Sequence, residues 1–176
     1  METPSDVLER LQSHCIASGR TSGDRIGGGV DGFIWLSDRD SVIKVYRGRR
    51  PFERELAIYK RLVQRDLRRL RGFEIPELKE VDADNLVLVL GVVEPPFLID
   101  FGAAVLDERP AEFRLDSEDW KAEKRRVYGD VDWPEIERLL ESLVQYGVYY
   151  TDVHPGNVRV RRDMPSRRSS PGASWP

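Results

Sequence analysis

Between Ile26 and Leu36 the chain reads Ile-Gly-Gly-Gly-Val-Asp-Gly-Phe-Ile-Trp-Leu, and this segment restricts the fold more than any other. Apolar, β-prone residues flank a glycine cluster, so the segment reads as a strand, a tight turn and a second strand. Ser37-Asp38-Arg39-Asp40 supplies another turn before Val42-Ile43-Lys44-Val45-Tyr46, which completes an antiparallel meander. A helical period takes over at Pro51. Phe52, Leu56, Tyr59, Leu62, Val63, Leu67 and Leu70 recur at three- and four-residue steps, and the pattern predicts one long helix ending at Gly72.

On either side of this centre the signals are simpler. Thr3-Pro4-Ser5-Asp6 predicts a helix start, with a capping oxygen, a proline at the first helical position and an acid near the positive end of the dipole. Residues 18–23 read as a flexible connection. Glu77 to Val81 and Leu86 to Val93 predict a strand pair across Asp82-Ala83-Asp84-Asn85, and Pro95-Pro96 stops the second strand. Phe97 to Phe101 is a short apolar stretch leading into a charged, loop-like region from Val105 to Val131. Trp133-Pro134 opens a helix with Ile136, Leu139, Leu140, Leu143 and Val144 on one stripe, stopped by Gly147. Val148 to Val160 reads as strand and loop, and residues 161–176, dense in Arg, Ser and Pro, as a disordered tail.

Composition narrows the classes of function. With 176 residues, 40% of them hydrophobic, one core can form without staples. Cys15 is the single cysteine and there are two histidines, so neither an internal disulfide nor a Cys/His zinc cluster is expected, and a reducing cytoplasm is the expected location. A net charge of −3 argues against a globally basic nucleic-acid binder. The longest apolar run, Leu86 to Val93, is far short of the roughly 20 residues of a membrane span, and the acidic, proline-bearing start does not read as a signal peptide.

Three places can carry chemistry. Gly27, Gly29 and Gly32 have the G-x-G-x-x-G spacing that lets backbone amides approach phosphate oxygens, although a glycine-rich hairpin turn has the same look. Lys44 shares a strand face with Val42 and Tyr46, and an amine in such company needs an anion. Glu55 borders the apolar stripe of the following helix and is the preferred partner; Glu53 lies on another side, and a Lys44 snorkelling at a strand edge is the plain alternative. The third place is Tyr150-Thr151-Asp152-Val153-His154-Pro155-Gly156-Asn157-Val158. Here a carboxylate and a carboxamide five residues apart, on a loop bent by Pro155 and Gly156, can converge so that Asp152 orients a hydroxyl and the Asn157 amide oxygen binds Mg²⁺.

Taken in order, the glycine loop, Val42-Ile43-Lys44, Arg54-Glu55 and the Asp152 to Asn157 loop resemble the protein-kinase-like superfamily over residues 26–160. The resemblance implies an α+β, two-lobe fold: a small antiparallel-sheet lobe with one long helix over residues 26–93, and a reduced, mostly helical lobe with the catalytic loop over 94–160. Residues 1–25 then form an N-terminal helix and linker, and a hinge falls near Gly91 to Phe97. It further implies ATP and Mg²⁺ as cofactors, Lys44 on the phosphates and held by Glu55, the glycine loop over them, Asp152 as catalytic carboxylate and Asn157 as metal ligand. The form Asp-x-His-Pro-Gly-Asn is closer to the small-molecule phosphotransferases and atypical bacterial kinases. The phosphoryl acceptor is then a hydroxyl on a protein or small molecule, with no nucleic acid or membrane partner expected.

Two departures stand out. Tyr150-Thr151 replaces the His-Arg of regulated protein kinases, so activation through that arginine is not expected. The family's Asp-Phe-Gly metal motif should follow the catalytic loop, whereas Asp100-Phe101-Gly102 precedes it, on the connection where a hinge would pass. On chain order that match reads as a coincidence, which leaves one metal ligand missing. A nucleotide- or protein-binding regulator with impaired catalysis is therefore the rival expectation, beside a truncated enzyme or one that recruits another acid such as Asp100.

Overall fold

The computed structural model describes residues 4–160; the proposed tail at 161–176 and the capping Thr3 lie outside the described residues. In chain order the elements are α1 (Pro4–Ser18), β1 (Ser22–Gly28), β2 (Gly32–Ser37), β3 (Ser41–Tyr46), α2 (Arg49–Gln64), β4 (Arg69–Leu70), β5 (Phe73–Glu74), β6 (Leu78–Asp82), β7 (Val87–Gly91), β8 (Phe97–Leu98), β9 (Val105–Leu106), α3 (Glu118–Gln145), β10 (Val148–Tyr149) and β11 (Val158–Arg159). The fold is α+β. Its main sheet has the order β1-β2-β3-β7-β6, antiparallel throughout.

Alternation along β3 decides what each face of that sheet carries. Ile43 and Val45 pair with Val89 and Val87 and form one apolar layer with Trp35, against which Val7 and Leu11 of α1 pack. On the opposite face Lys44 and Tyr46 look toward α2, whose Phe52, Leu56, Tyr59 and Leu62 join Leu88 and Leu90 in the larger core. One buried polar contact fixes α1 from its far end: His14 Nδ1 lies 3.0 Å from Asp82 Oδ2, and Asp82 also accepts from the backbone and side chain of Asn85.

Three sequence expectations need correction. The long helix ends at Gln64, because the chain leaves it through Asp66 at φ 51° and then turns at Arg71 and Gly72 (φ 55° and 91°) to make the hairpin β4–β5. Leu67 and Leu70 still bury apolar surface, but as turn and strand residues whose spacing imitates a helix. The region from Val105 to Val131 is not all loop. Ser117 caps a helix by accepting from Trp120 N, and Gly129 (φ 84°) breaks it, so that the apolar stripe from Trp133 onward forms a second segment of α3. Trp120 and Tyr128 pack against Trp133, with ring centroids 5.6 and 6.3 Å away. Lastly, β1 begins at Ser22, ahead of Ile26. Among the described residues no helix is long and apolar enough to cross a membrane.

The strands outside the main sheet build two small sheets. One has the order β11-β8-β5-β4, the other pairs β10 with β9. Leu98 pairs with Val158 and Phe97 with Arg159; Val148 pairs with Leu106 and Tyr149 with Val105, both sets antiparallel. These short ladders position the candidate site.

Candidate functional site

The loop from Ile99 to Ala104 leaves β8 and enters β9, while the loop from Tyr150 to Asn157 leaves β10 and enters β11. Because β8 pairs with β11 and β9 with β10, the two loops are held side by side at both ends. Three hydrogen bonds stitch them together: Ile99 N to Asn157 O (2.8 Å), Tyr150 Oη to Ile99 O (2.7 Å) and Thr151 Oγ1 to Ala103 O (2.7 Å). Phe101 anchors the first loop to the core, edge-on to Tyr59 of α2 and to Tyr150.

This arrangement brings Asp100 to Lys44, although chain order alone had set Asp100-Phe101-Gly102 apart from the other site residues. Lys44 Nζ donates to Glu55 Oε2 at 2.6 Å and to Asp100 Oδ1 at 2.9 Å. In an antiparallel pair the end of one strand lies beside the beginning of its partner, whichever comes first in the chain. Chain order therefore does not decide where the Asp100 carboxylate goes; strand pairing does. Asp100 itself takes a left-handed backbone conformation, φ 56°, and its Oδ1 also accepts from Gly102 N at 3.1 Å. Aspartate adopts this conformation more readily than most residues, and these side-chain contacts hold it there.

The electrostatics of the three groups are coupled. Burial opposes the Lys44 charge, yet the carboxylates of Glu55 and Asp100 together hold the ammonium above its ordinary value. Burial also works against the Asp100 carboxylate, and Lys44, with the Gly102 amide, outweighs it and holds the acid below the usual range. Glu55 is fully buried, and burial pushes it up despite Lys44. The preference for Glu55 over Glu53 follows the structure: Glu53 is exposed and lies 3.7 Å from Arg49.

A cleft of about 680 Å³ opens over this cluster, within the range of small-molecule sites. Gly27, Gly29 and Gly32, Lys44, Glu55, Asp100, Asp152 and Asn157 all line it, so each site residue named from the sequence reaches one cavity. Ile26, Ile34, Val42, Leu90 and Ile99 give it an apolar interior, and Gly91 to Val93 form part of its wall. The glycine turn is closed by Gly29 N to Gly32 O at 2.9 Å. Its glycines differ in what they do. A Cβ on Gly32 would collide with Val45 O, so this glycine serves the close approach of β2 to β3, whereas Gly29 has open space around it.

Asn157 Nδ2 donates to Asp152 Oδ2 at 2.9 Å, which leaves the Asn157 carbonyl oxygen as the end able to meet a cation. Among the described residues no three acidic, histidine or cysteine side chains gather into a ready metal site. Asp100 and Asn157 nonetheless offer hard oxygen donors of the kind Mg²⁺ takes when ligand phosphates complete its shell. One feature escaped the sequence reading, Asp31, whose carboxylate pairs with Arg54 at 2.9 Å at the cleft, while Asp100 entered it only as an acid that an active enzyme could recruit. The signal for Asp100 was the pair of short apolar runs on either side of each loop, equal in length and able to pair. Comparison with protein-family models, curated proteins and solved structures gives no match for this chain.

Proposed function

We propose that this chain is a small kinase-like phosphotransferase that moves the γ-phosphoryl group of Mg-ATP to a hydroxyl on a protein or small molecule. The observation that carries this reading is one amine held between two carboxylates, Lys44 with Glu55 and Asp100, in a cleft that also holds a glycine turn, Asp152 and Asn157. In it the main sheet with α2 acts as the nucleotide-binding lobe and residues 94–160 as a reduced second lobe. Phosphoryl transfer needs positioned cations more than covalent chemistry, and the residue types present suit that need.

Lys44 contacts the phosphates, kept in place and charged by Glu55. The amides around Gly27 and Gly29 cover the phosphate chain. Asp100 and Asn157 would hold Mg²⁺, which when bound neutralises charge on the transferring group. Asp152 orients the acceptor hydroxyl and takes its proton. The apolar interior suits a nucleobase. A non-catalytic regulator was attractive while a second metal acid was lacking; Asp100 beside Lys44 favours the enzyme. The test is phosphate transfer from Mg-ATP by the wild type against Asp152→Asn, with a thermal-shift titration of ATP and ADP. Turnover lost in the variant with nucleotide stabilisation kept is the expected result; equal background rates in both, or no stabilisation by either nucleotide, would defeat the proposal.

A further inference from the structure

Asn157 is not the only polar neighbour of Asp152 among the described residues. The imidazole of His154 lies on the same loop, half-exposed, with Nε2 3.6 Å from Asp152 Oδ2. Its other nitrogen is fixed: Nδ1 accepts a hydrogen bond from Gly156 N at 3.1 Å. A ring nitrogen that accepts from a backbone amide carries no proton, so the neutral ring keeps its proton on Nε2, the nitrogen facing the carboxylate. The loop is built to keep the ring there. The backbone amides of Asn157 and Val158 both donate to His154 O at 2.9 Å, and a Cβ on Gly156 would come within 2.9 Å of His154 Cε1. A side chain at 156 would push the imidazole off this position.

Both donors, Asn157 Nδ2 and His154 Nε2, address the same oxygen of Asp152. We infer that His154 is a positioning residue: its Nε2–H, together with the Asn157 amide, fixes Oδ2 of Asp152 and so leaves Oδ1 as the oxygen that receives the acceptor hydroxyl. This rests on the phosphotransferase reading and adds to it an assignment of the two carboxylate oxygens. A separation of 3.6 Å is too long for a hydrogen bond, and contacts of this kind shorten when substrate closes the site.

The geometry separates two substitutions that differ by one methylene. In His154→Gln the side-chain amide can reach the position of Nε2, whereas in His154→Asn it reaches only that of Nδ1. We expect kcat to fall about 10- to 100-fold in His154→Asn and His154→Ala, with KM for ATP changed less than about 2-fold, and to recover in His154→Gln. Gln as damaged as Ala, or Asn as active as wild type, would overturn the assignment. A nitrogen NMR spectrum of the imidazole gives a readout without turnover: a proton on Nε2 and none on Nδ1 is expected, and the reverse overturns the inference. A crystal structure of His154→Ala should show Asp152 in a changed or mixed rotamer, and an unchanged single rotamer would count against it. If the wild type transfers no phosphate, the functional reading fails by itself, while the tautomer and the rotamer still decide whether His154 holds Asp152.

Discussion

Lys44 and Asp100 are 56 residues apart in the chain, and Lys44 Nζ lies 2.9 Å from Asp100 Oδ1. The contact joins the main sheet to the first of the two paired loops, and it gives Asp100 a position from which one carboxylate can serve both amine and metal. Asp100→Asn keeps the shape and an oxygen for Lys44 but removes the charge. Turnover of Mg-ATP should fall on the order of 10²- to 10³-fold, the scale of losing one electrostatic contact to the transferring group. Binding of metal-free ADP, read by thermal shift, should persist. A variant with wild-type turnover would remove Asp100 from the proposed machinery.

The pair of Lys44 with Glu55 makes a prediction about stability that needs no substrate. Lys44→Met leaves Glu55 fully buried beside one lost partner, and stranding a buried charge costs about 3–5 kcal/mol. Urea unfolding at neutral pH should show a loss of that size, and Lys44→Met/Glu55→Leu should regain most of it. The sign of the pH dependence follows from Glu55, whose folded value is raised by burial and lowered by Lys44. Removing Lys44 raises it further, so the deficit against wild type opens as pH passes the raised folded value of the wild-type carboxyl, itself above the ordinary glutamate value of about 4.3, and grows as pH rises toward that of the variant. A deficit independent of pH would show that packing, and not the stranded carboxylate, sets the cost.

Much of this was legible in the sequence, and for identifiable reasons. Alternation in Val42 to Tyr46 and the helical step from Phe52 to Leu62 are local patterns, and each placed its polar member, Lys44 or Glu55, on a definite face. The loop from Asp152 to Asn157 carries its own turn residues. Leu67 and Leu70 misled because a hairpin two residues per strand long has no room to show alternation, so its apolar residues merged with the helical period before them. Asp100 misled for a different reason: its position depends on the pairing of β8 with β11 and β9 with β10, a non-local fact that chain order conceals.

The glycines of the turn can be told apart by experiment. Gly32→Ala would drive a methyl into Val45 O and sits 3.0 Å from Tyr46 Cα, so it should destabilise the sheet by roughly 1–3 kcal/mol whether or not a nucleotide binds. Gly29→Ala meets nothing within 4 Å and should leave the melting temperature near that of wild type. If Gly29 serves the phosphate chain, the same substitution should weaken ADP binding several-fold, because a methyl then stands where the backbone approaches the ligand. Unchanged affinity in Gly29→Ala would assign the turn to the hairpin alone.

Asp31, at the tip of that turn, brings a negative charge to a place proposed for phosphates. Its carboxylate accepts from Arg54 at 2.9 Å, and a Cβ built on Gly102 would touch three acids at once: Asp100 Oδ1 at 3.1 Å, Asp31 Oδ2 at 3.3 Å and Glu55 Oε2 at 3.4 Å. Only two cations, Lys44 and Arg54, face these three acids, so an arriving triphosphate must displace Asp31 or be repelled by it. Asp31→Asn should then bind ATP more tightly, by about 3- to 10-fold at low salt, and Arg54→Met less tightly. Asp31 and Arg54 are both more than a third exposed, so salt should screen the effect. The advantage of Asp31→Asn should shrink toward nothing as ionic strength rises from about 0.01 M, where charges act over roughly 30 Å, to 1 M, where they act over about 3 Å. An affinity gain that salt leaves untouched would mean that the substitution reshapes the turn, and an affinity equal to wild type at low salt would mean that phosphates never come near Asp31.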